Sequence, residues 1–556
     1  MPAESPDARA VGVSSLPLTD IPHTTQLFAD FLYNFDRVRS FYSRPPRLRE
    51  WPAAAFARPD YTSERRQAVA AVLERQNRTF YGAAGYGVAG ERALANIERL
   101  RQGAVAIVTG QQTALLGGPV FTLYKALTAI KVAAESTRLG HDAVPVFWMS
   151  SEDHDFAEIS AVELPDDKGA LHRLAMASRG TPDAPVGSLP LPEEIRSLLV
   201  EARTLLGEGA GTQAMTEALA QAYQPGATIA SAFARLLAHW FAEFGLVLLD
   251  PADTELHRIG ASIFSGAVEH AAELNAALLE RGQQLHASGY HEQVKVTAAS
   301  TLLFLLRDGA RVPIKRNGEQ FAAGEEELST AQLRELAERC PEQLSANALL
   351  RPVLQDYLLP SVAMVAGPAE IAYMAQSAAV YQPLLGRLTP ALPRFSATLL
   401  EPAVARLLDR YQISVPQLFS GLEATREALA QTTLPSDVTE AFDAAGVKLE
   451  QSLAEINARL ERLDPTLLDA ASNAGKKMQY QLEQLRAKAA RAQLRRQDEV
   501  AAHAERLTSA IYPNRQPQER VLGGAYFMVR HRGLLPRLLE IISVDSAEHC
   551  VVRLGS

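Results

Sequence analysis

Three groups of polar residues have the types and spacing to do chemistry. The densest is Glu152-Asp153-His154-Asp155, where three carboxylates surround one histidine. An imidazole with an ordinary pKa near 6.5 can accept a proton at about neutral pH, and adjacent carboxylates orient it and favour its charged form. General-base catalysis by His154, oriented by Asp153 or Asp155, is the first expectation, with Glu152 beside it to bind substrate. The competing reading is a helix cap, which Asp favours. No metal is expected, because so short a cluster falls below a full ligand count. The second group runs from Gly110-Gln111-Gln112 to Gly117-Gly118-Pro119. Proline suits a first helical position, and free N–H groups at a helix N-terminus attract anions. Gln111, Gln112, Gly117, Gly118 and Pro119 are therefore candidate anion contacts, with Lys125 placed to reach back to them. The alternative is a tight strand-to-helix turn. Neither G-x-G-x-x-G nor Gly-Lys-Ser/Thr occurs here, so no nucleotide motif supports the anion reading. The third group is Arg351, Gln355 and Asp356 at i, i+4 and i+5, followed by Glu370, Gln376 and Arg394. These suit guanidinium and amide contacts to a carboxylate or a sugar; surface ion pairing is the plainer alternative.

The apolar runs between these groups must position them. Residues 105–109 and 144–149 read as buried strands. Between them Leu123, Leu127, Ile130 and Ala134 recur at helical spacing. Further buried strands are expected at 246–249 and 361–366. This alternation predicts a parallel α/β sheet, in which the pocket lies beyond the carboxyl ends of the strands. The glycine–proline loop and the acidic histidine cluster should then face one cleft. Apolar runs flanking Asp308-Gly309 predict a hairpin. Leu449, Leu453, Ile456, Leu460 and Leu463 form heptads, broken at Pro465 and resumed from Leu468, which predicts an antiparallel coiled-coil hairpin.

The expected organisation is an N-terminal helical segment (1–100), with a start to about residue 20 that is loose until packed and a glycine-rich break at 82–90. Core segments follow at 101–160, 229–284 and 347–400. Insertions occupy 161–228 and 285–346, a helical coiled-coil domain 401–511, and a tail returning to the core 512–556. A chain of 556 residues is too long for one compact core. A net charge of -9 argues against nucleic acid as a partner. No uncharged apolar run reaches the roughly 18 residues that span a bilayer, so no membrane partner is expected. Cys340 and Cys550 are distant in sequence, and the first 25 residues show no secretory pattern. Both features point to a reducing cytoplasm.

Several stretches together resemble the bacillithiol biosynthesis cysteine-adding enzyme family. They are Tyr33-Asn-Phe-Asp36-Arg37-Val38, Thr109 to Pro119 with Lys125, Pro145-Val-Phe-Trp148 with Glu152 to Glu158, and Gly289-Tyr-His-Glu-Gln-Val294. Then come Leu350 to Pro360, Gly367-Pro-Ala-Glu-Ile-Ala-Tyr373 with Gln376, and Glu519-Arg-Val521. They occur in order and nearly end to end. The resemblance implies a Rossmann-like core with two connecting insertions and a coiled coil that makes a homodimer. It also implies the last step of bacillithiol assembly, in which cysteine is joined to the amine of glucosaminyl malate. Forming an amide from a free carboxylate requires activation, so ATP and Mg2+ are expected on chemical grounds. On this reading Lys125 and Arg351 neutralise carboxylate or phosphate, and His154 deprotonates the amine. Two alternatives remain: a nucleotide-dependent transferase acting on another amino-sugar, and a scaffold whose working part is the coiled coil.

Overall fold

The computed structural model describes residues 12–82, 89–177, 182–207, 211–432, 435–494 and 498–555. At its centre is a five-stranded sheet. Its strands are β1 (Val105–Gln111), β2 (Ala143–Met149), β3 (Val247–Leu249), β4 (Ser361–Ala366) and β5 (Ala391–Pro393). The order is β5-β4-β1-β2-β3, with every neighbouring pair parallel. The sequence reading located four of these strands and missed β5, a three-residue edge strand. Alternate side chains leave opposite faces of the sheet. Ala106, Val108, Val144 and Val146 pack with Val69, Leu73, Ile97 and Phe264. Val105 and Ile107 pack with Ala129 and Val132, which lie on helix α1 (Phe121–Arg138). Both faces are covered, which is why these strands read as continuous apolar runs.

The first insertion carries an antiparallel pair, Ala161–Pro165 with Leu171–Ala175, and two helices. In the second, the hairpin expected at Asp308-Gly309 forms between Ser300–Arg307 and Ala310–Asn317. It belongs to a five-stranded antiparallel sheet, larger than a lone hairpin. The chain start is packed from residue 13. Val13–Pro17 is a strand paired with Glu548–Arg553, which in turn lies parallel to Ser396–Leu400. Both ends of the chain thus meet in one small sheet, and the tail returns to the core. The glycine-rich break expected at 82–90 lies mostly outside the described residues.

Helix α2 (Ile229–Phe241) packs beside the core, and α3 (Pro368–Leu385) follows β4. The heptad segments form α4 (Ser436–Leu463) and α5 (Leu468–Leu494), joined by a turn over Pro465–Leu467. None of the α4 side chains is buried, and Ile456, Leu463, Met478 and Leu485 remain at least about half exposed. The returning helix α6 (Asp498–Ile511) leads into the tail.

The loop after β1 is shaped by packing. Gly117 has φ +83°, and a β-carbon there would lie 2.3 Å from the Trp240 ring on α2. Gly118 has φ +71° and abuts Ala114. Glycine is required for both its dihedral freedom and its absent side chain. Gly117→Ala should therefore destabilise the fold by about 2–4 kcal/mol, from overpacking plus a disfavoured dihedral. Urea unfolding measures this, and a variant as stable as the parent would contradict the contact.

Candidate active site

A cavity of about 620 Å³ opens at the carboxyl ends of β1, β2 and β4, where Gln111, Ser150 and Gly367 leave the sheet. That volume suits a small molecule. The second insertion contributes Phe304, Arg311 and Ala346 to its wall, and the C-terminal tail contributes Arg520.

One wall of the cavity carries a basic group. Lys125, 4% exposed, lies on α1 with Nζ 2.5 Å from Glu370 Oε2. It also donates to Gly110 O (2.7 Å) and Gln111 Oε1 (2.9 Å). All three ammonium donors are thereby used. Burial pulls this ammonium below its ordinary pKa, against the opposing charge of Glu370. Glu370 in turn accepts from the Gly367 N–H at the start of α3 (2.8 Å). Arg351 donates to the Tyr373 hydroxyl (2.5 Å) and to Gln355 Oε1 (3.2 Å). Arg394, 7% exposed, donates to Glu519 Oε1 (2.6 Å) and Phe395 O (2.8 Å).

Asp153 and Glu158 form an acidic pair on the same wall, with Arg311 Nη1 3.9 Å from Asp153 Oδ1. Gln112 Nε2 donates to Asp153 Oδ2 (2.9 Å) and to Glu158 Oε2 (2.6 Å). Glu158 opens on the cavity, yet the protein around it, together with Asp153 and Asp155, holds its carboxyl above the usual range. Glu152 turns away from this pair, with Oε1 3.0 Å from His257 Nε2. His257 Nδ1 lies 3.0 Å from Pro341 O. The Pro341 carbonyl requires a proton on Nδ1, and the Glu152 carboxylate beside Nε2 favours the charged ring.

The structure brings Gln111, Gln112, Lys125, Glu152, Asp153, His154, Arg351, Glu370 and Arg394 to the cavity wall. Other expectations need correction. Gly117, Gly118 and Pro119 do not line it. The N–H groups of Gly117 and Gly118 bond to Ala114 O and Leu115 O, and that of Val120 to Leu522 O. The amides of Gly117 and Gly118 are thus taken up within the loop, and the tight-turn alternative describes it. Asp155 caps a short helix by accepting from the Glu158 N–H (3.0 Å), outside the cavity. Gln355 and Asp356 are buried behind Arg351, where Tyr381 donates to Asp356 (2.6 Å). Gln376 is likewise buried; it clamps the backbone of Gln293 and Val294 and so fixes a wall loop without touching the cavity.

The general-base role expected of His154 also meets an obstacle. Arg311 Nη1 lies 3.0 Å from His154 Nδ1. A guanidinium only donates, so Nδ1 must accept and the ring proton sits on Nε2. No lone pair then faces an incoming ammonium. Sequence reasoning missed Arg311, Glu158, His257 and Arg520 as site residues. Glu158 lay within the quoted Glu152-to-Glu158 stretch, which was the available signal. The other three reach the site from remote segments. Among the described residues, no group of three or more His, Cys, Asp or Glu is arranged to hold a metal ion, and no helix is long and apolar enough to cross a membrane.

A covered parallel sheet with a two-signed polar cavity at its carboxyl edge defines a Rossmann-like protein built to hold a small charged molecule. The family model described as "Bacillithiol biosynthesis BshC, N-terminal Rossmann-like domain" matches residues 15–395. The BshC "C-terminal coiled-coil domain" matches residues 397–554. The chain belongs to the BshC family. Among its relatives, a protein of Koribacter versatilis is 44% identical over 97% of this chain and 99% of its own length. One of Solibacter usitatus is 37% identical over 96% and 98%, and one of Symbiobacterium thermophilum 32% over 92% of each. All three carry the name "Putative cysteine ligase BshC".

Burial opposes the charge on His257, but Glu152 outweighs it and raises the pKa from 6.5 to about 9. The stability this pair adds is complete below about pH 6.5 and is lost as pH rises through about 9. Melting temperature measured from pH 6.5 to 9.5 should fall more steeply for the parent than for His257→Gln. Equal slopes would show that the ring is not charged.

Proposed function

We propose that this protein joins cysteine to the amine of glucosaminyl malate, completing bacillithiol. The observation that carries the reading is that one cavity wall holds both an acidic pair, Asp153 and Glu158, bridged by Gln112, and a basic group, Lys125, Arg351 and Arg394. A substrate with an amine at one end and two carboxylates at the other matches those two groups. The names of the relatives support the same chemistry.

In this reading Asp153 and Glu158 hold the sugar ammonium, and Glu158 takes its proton, since a raised carboxylate pKa makes a better base near neutrality. His154 presents Nε2–H to the carbonyl oxygen as negative charge develops there, which replaces the base role expected of it. Arg311 keeps that tautomer in place. ATP, when bound, would supply activation of the cysteine carboxylate. The side chains of Lys295 and Lys315 on the cavity wall make no hydrogen bond or ion pair with any described residue and fit its phosphates. Mg2+ would then draw most of its ligands from phosphate oxygens and water, as is common for this ion. Both thiols are free, which suits a reducing cytoplasm.

The exposed apolar positions on α4 and α5 fit pairing with a second copy of the chain. Light scattering should give a dimer mass, and a monomer at micromolar concentration would refute the pairing. A pure scaffold would have no need of the Lys125–Glu370 and Gln112–Asp153/Glu158 contacts inside the cavity. Purified protein given cysteine, glucosaminyl malate, ATP and Mg2+ should release bacillithiol, identified by mass. Glu158→Gln should lower kcat at least about a hundredfold, the range for a lost acid–base group. Unchanged kcat would remove Glu158 from the mechanism, and no product from the parent would refute the assignment.

A further inference from the structure

We infer that the segment returning from the coiled coil is part of the substrate site, and that the Arg520 guanidinium on it binds the malate carboxylates. The inference rests on the proposed substrate for the ligand's name, but on geometry for the site. After α6, residues 518–524 cross the mouth of the core and are fixed residue by residue. Gln518 accepts from the Leu399 N–H (2.8 Å) and donates to Leu399 O and Ala510 O. Glu519 accepts from Arg394 (2.6 Å), the Ser396 hydroxyl (3.0 Å) and the Ala397 N–H (3.1 Å). Leu522 O accepts from the Val120 N–H, Gly523 N–H donates to Glu163 O, and Gly524 N–H to Gly118 O. Gln518 and Glu519 are 1% and 5% exposed.

Arg520 differs from its neighbours. Its side chain is exposed, lines the cavity, and makes no hydrogen bond or ion pair with any described residue. The other guanidiniums of the wall are already engaged. Arg394 serves Glu519, Arg351 serves Tyr373 and Gln355, and Arg311 serves Ser345, Ala346 and His154. Burial pulls Glu519 upward, but Arg394 outweighs it, so this carboxylate stays ionised and neutralises Arg394. Burial and the charge of Arg394 weigh against the Arg520 charge, while the Glu519 and Glu158 carboxylates favour it, and it makes no ion pair with either. A guanidinium presents parallel N–H donors that match a carboxylate in two bonds. A free guanidinium on a rigid strap facing a cavity is therefore an oxyanion contact. Phosphate shares that chemistry, so the test includes both anions.

The experiment uses the full chain with L-malate and inorganic pyrophosphate as calorimetric probes. Arg520→Gln should weaken malate binding at least about tenfold, the lower end for charge-assisted bonds, and leave pyrophosphate binding unchanged. Arg520→Lys should recover part of the loss. Melting temperature should stay constant, because the side chain holds nothing in the fold. In turnover, Arg520→Gln should raise KM for glucosaminyl malate more than it lowers kcat, with no KM change for a methyl glucosaminide lacking carboxylates. Parent-like malate binding in Arg520→Gln, loss of pyrophosphate binding alone, or no malate binding by the parent would each overturn the inference. If malate binds as expected but the parent makes no bacillithiol, the proposed reaction fails and the Arg520 contact stands.

Discussion

A single buried ammonium holds the working edge of the sheet together. Lys125 comes from the helix after β1, Glu370 from the helix after β4, and they meet 2.5 Å apart in front of both strands. Removing one partner of such a buried pair leaves an uncompensated charge at a cost of about 3–5 kcal/mol. The pair also organises what lies beyond it. Glu370 fixes the Gly367 turn, and Lys125 fixes Gly110 and Gln111. Gln111 Nε2 reaches Gln112 Oε1 (3.4 Å), and Gln112 holds Asp153 and Glu158. One chain of contacts thus runs from Lys125 to Asp153 and Glu158 along the cavity wall.

The acidic and basic side chains of the wall are close enough to interact, as Arg311 and Asp153 do at 3.9 Å. Most of them are occupied by fixed neighbours: Arg394 by Glu519, Glu152 by His257, Arg351 by Tyr373. Groups with spare capacity face the opening. The walls that supply them come from distant parts of the chain, which explains the return of the tail to the core after the coiled coil. The coiled-coil domain and the Rossmann-like domain are joined through residues 518–524, and a change at that strap should be felt by Arg394.

The parallel core was legible because its strands are buried on both faces and its helices keep a 3.6-residue period. Residues 105–109 and 144–149 needed nothing else. The hairpin at Asp308-Gly309 and the break at Pro465 were legible from turn chemistry. Lys125 could be placed because it lies off the apolar stripe of its own helix. What sequence could not supply was long-range pairing. The Gly117-Gly118-Pro119 turn has the composition of an anion cradle, and only Trp240, more than a hundred residues away, decides that it is a packing device. His154 sits among carboxylates in sequence, yet Arg311 from another sheet sets its proton. Asp155 looked equivalent to Asp153 and became a cap, because the next four residues turn into a helix.

The central claim is that one cavity holds the substrate with its amine toward Asp153 and Glu158 and its carboxylates toward Arg351, Arg394 and Arg520. A crystal structure of the full chain soaked with glucosaminyl malate tests it most directly. The account predicts the sugar nitrogen within about 3 Å of an Asp153 or Glu158 oxygen, the ordinary hydrogen-bond range, with the malate on the arginine side. Density for the ligand outside this cavity, or in the reversed orientation, would contradict it.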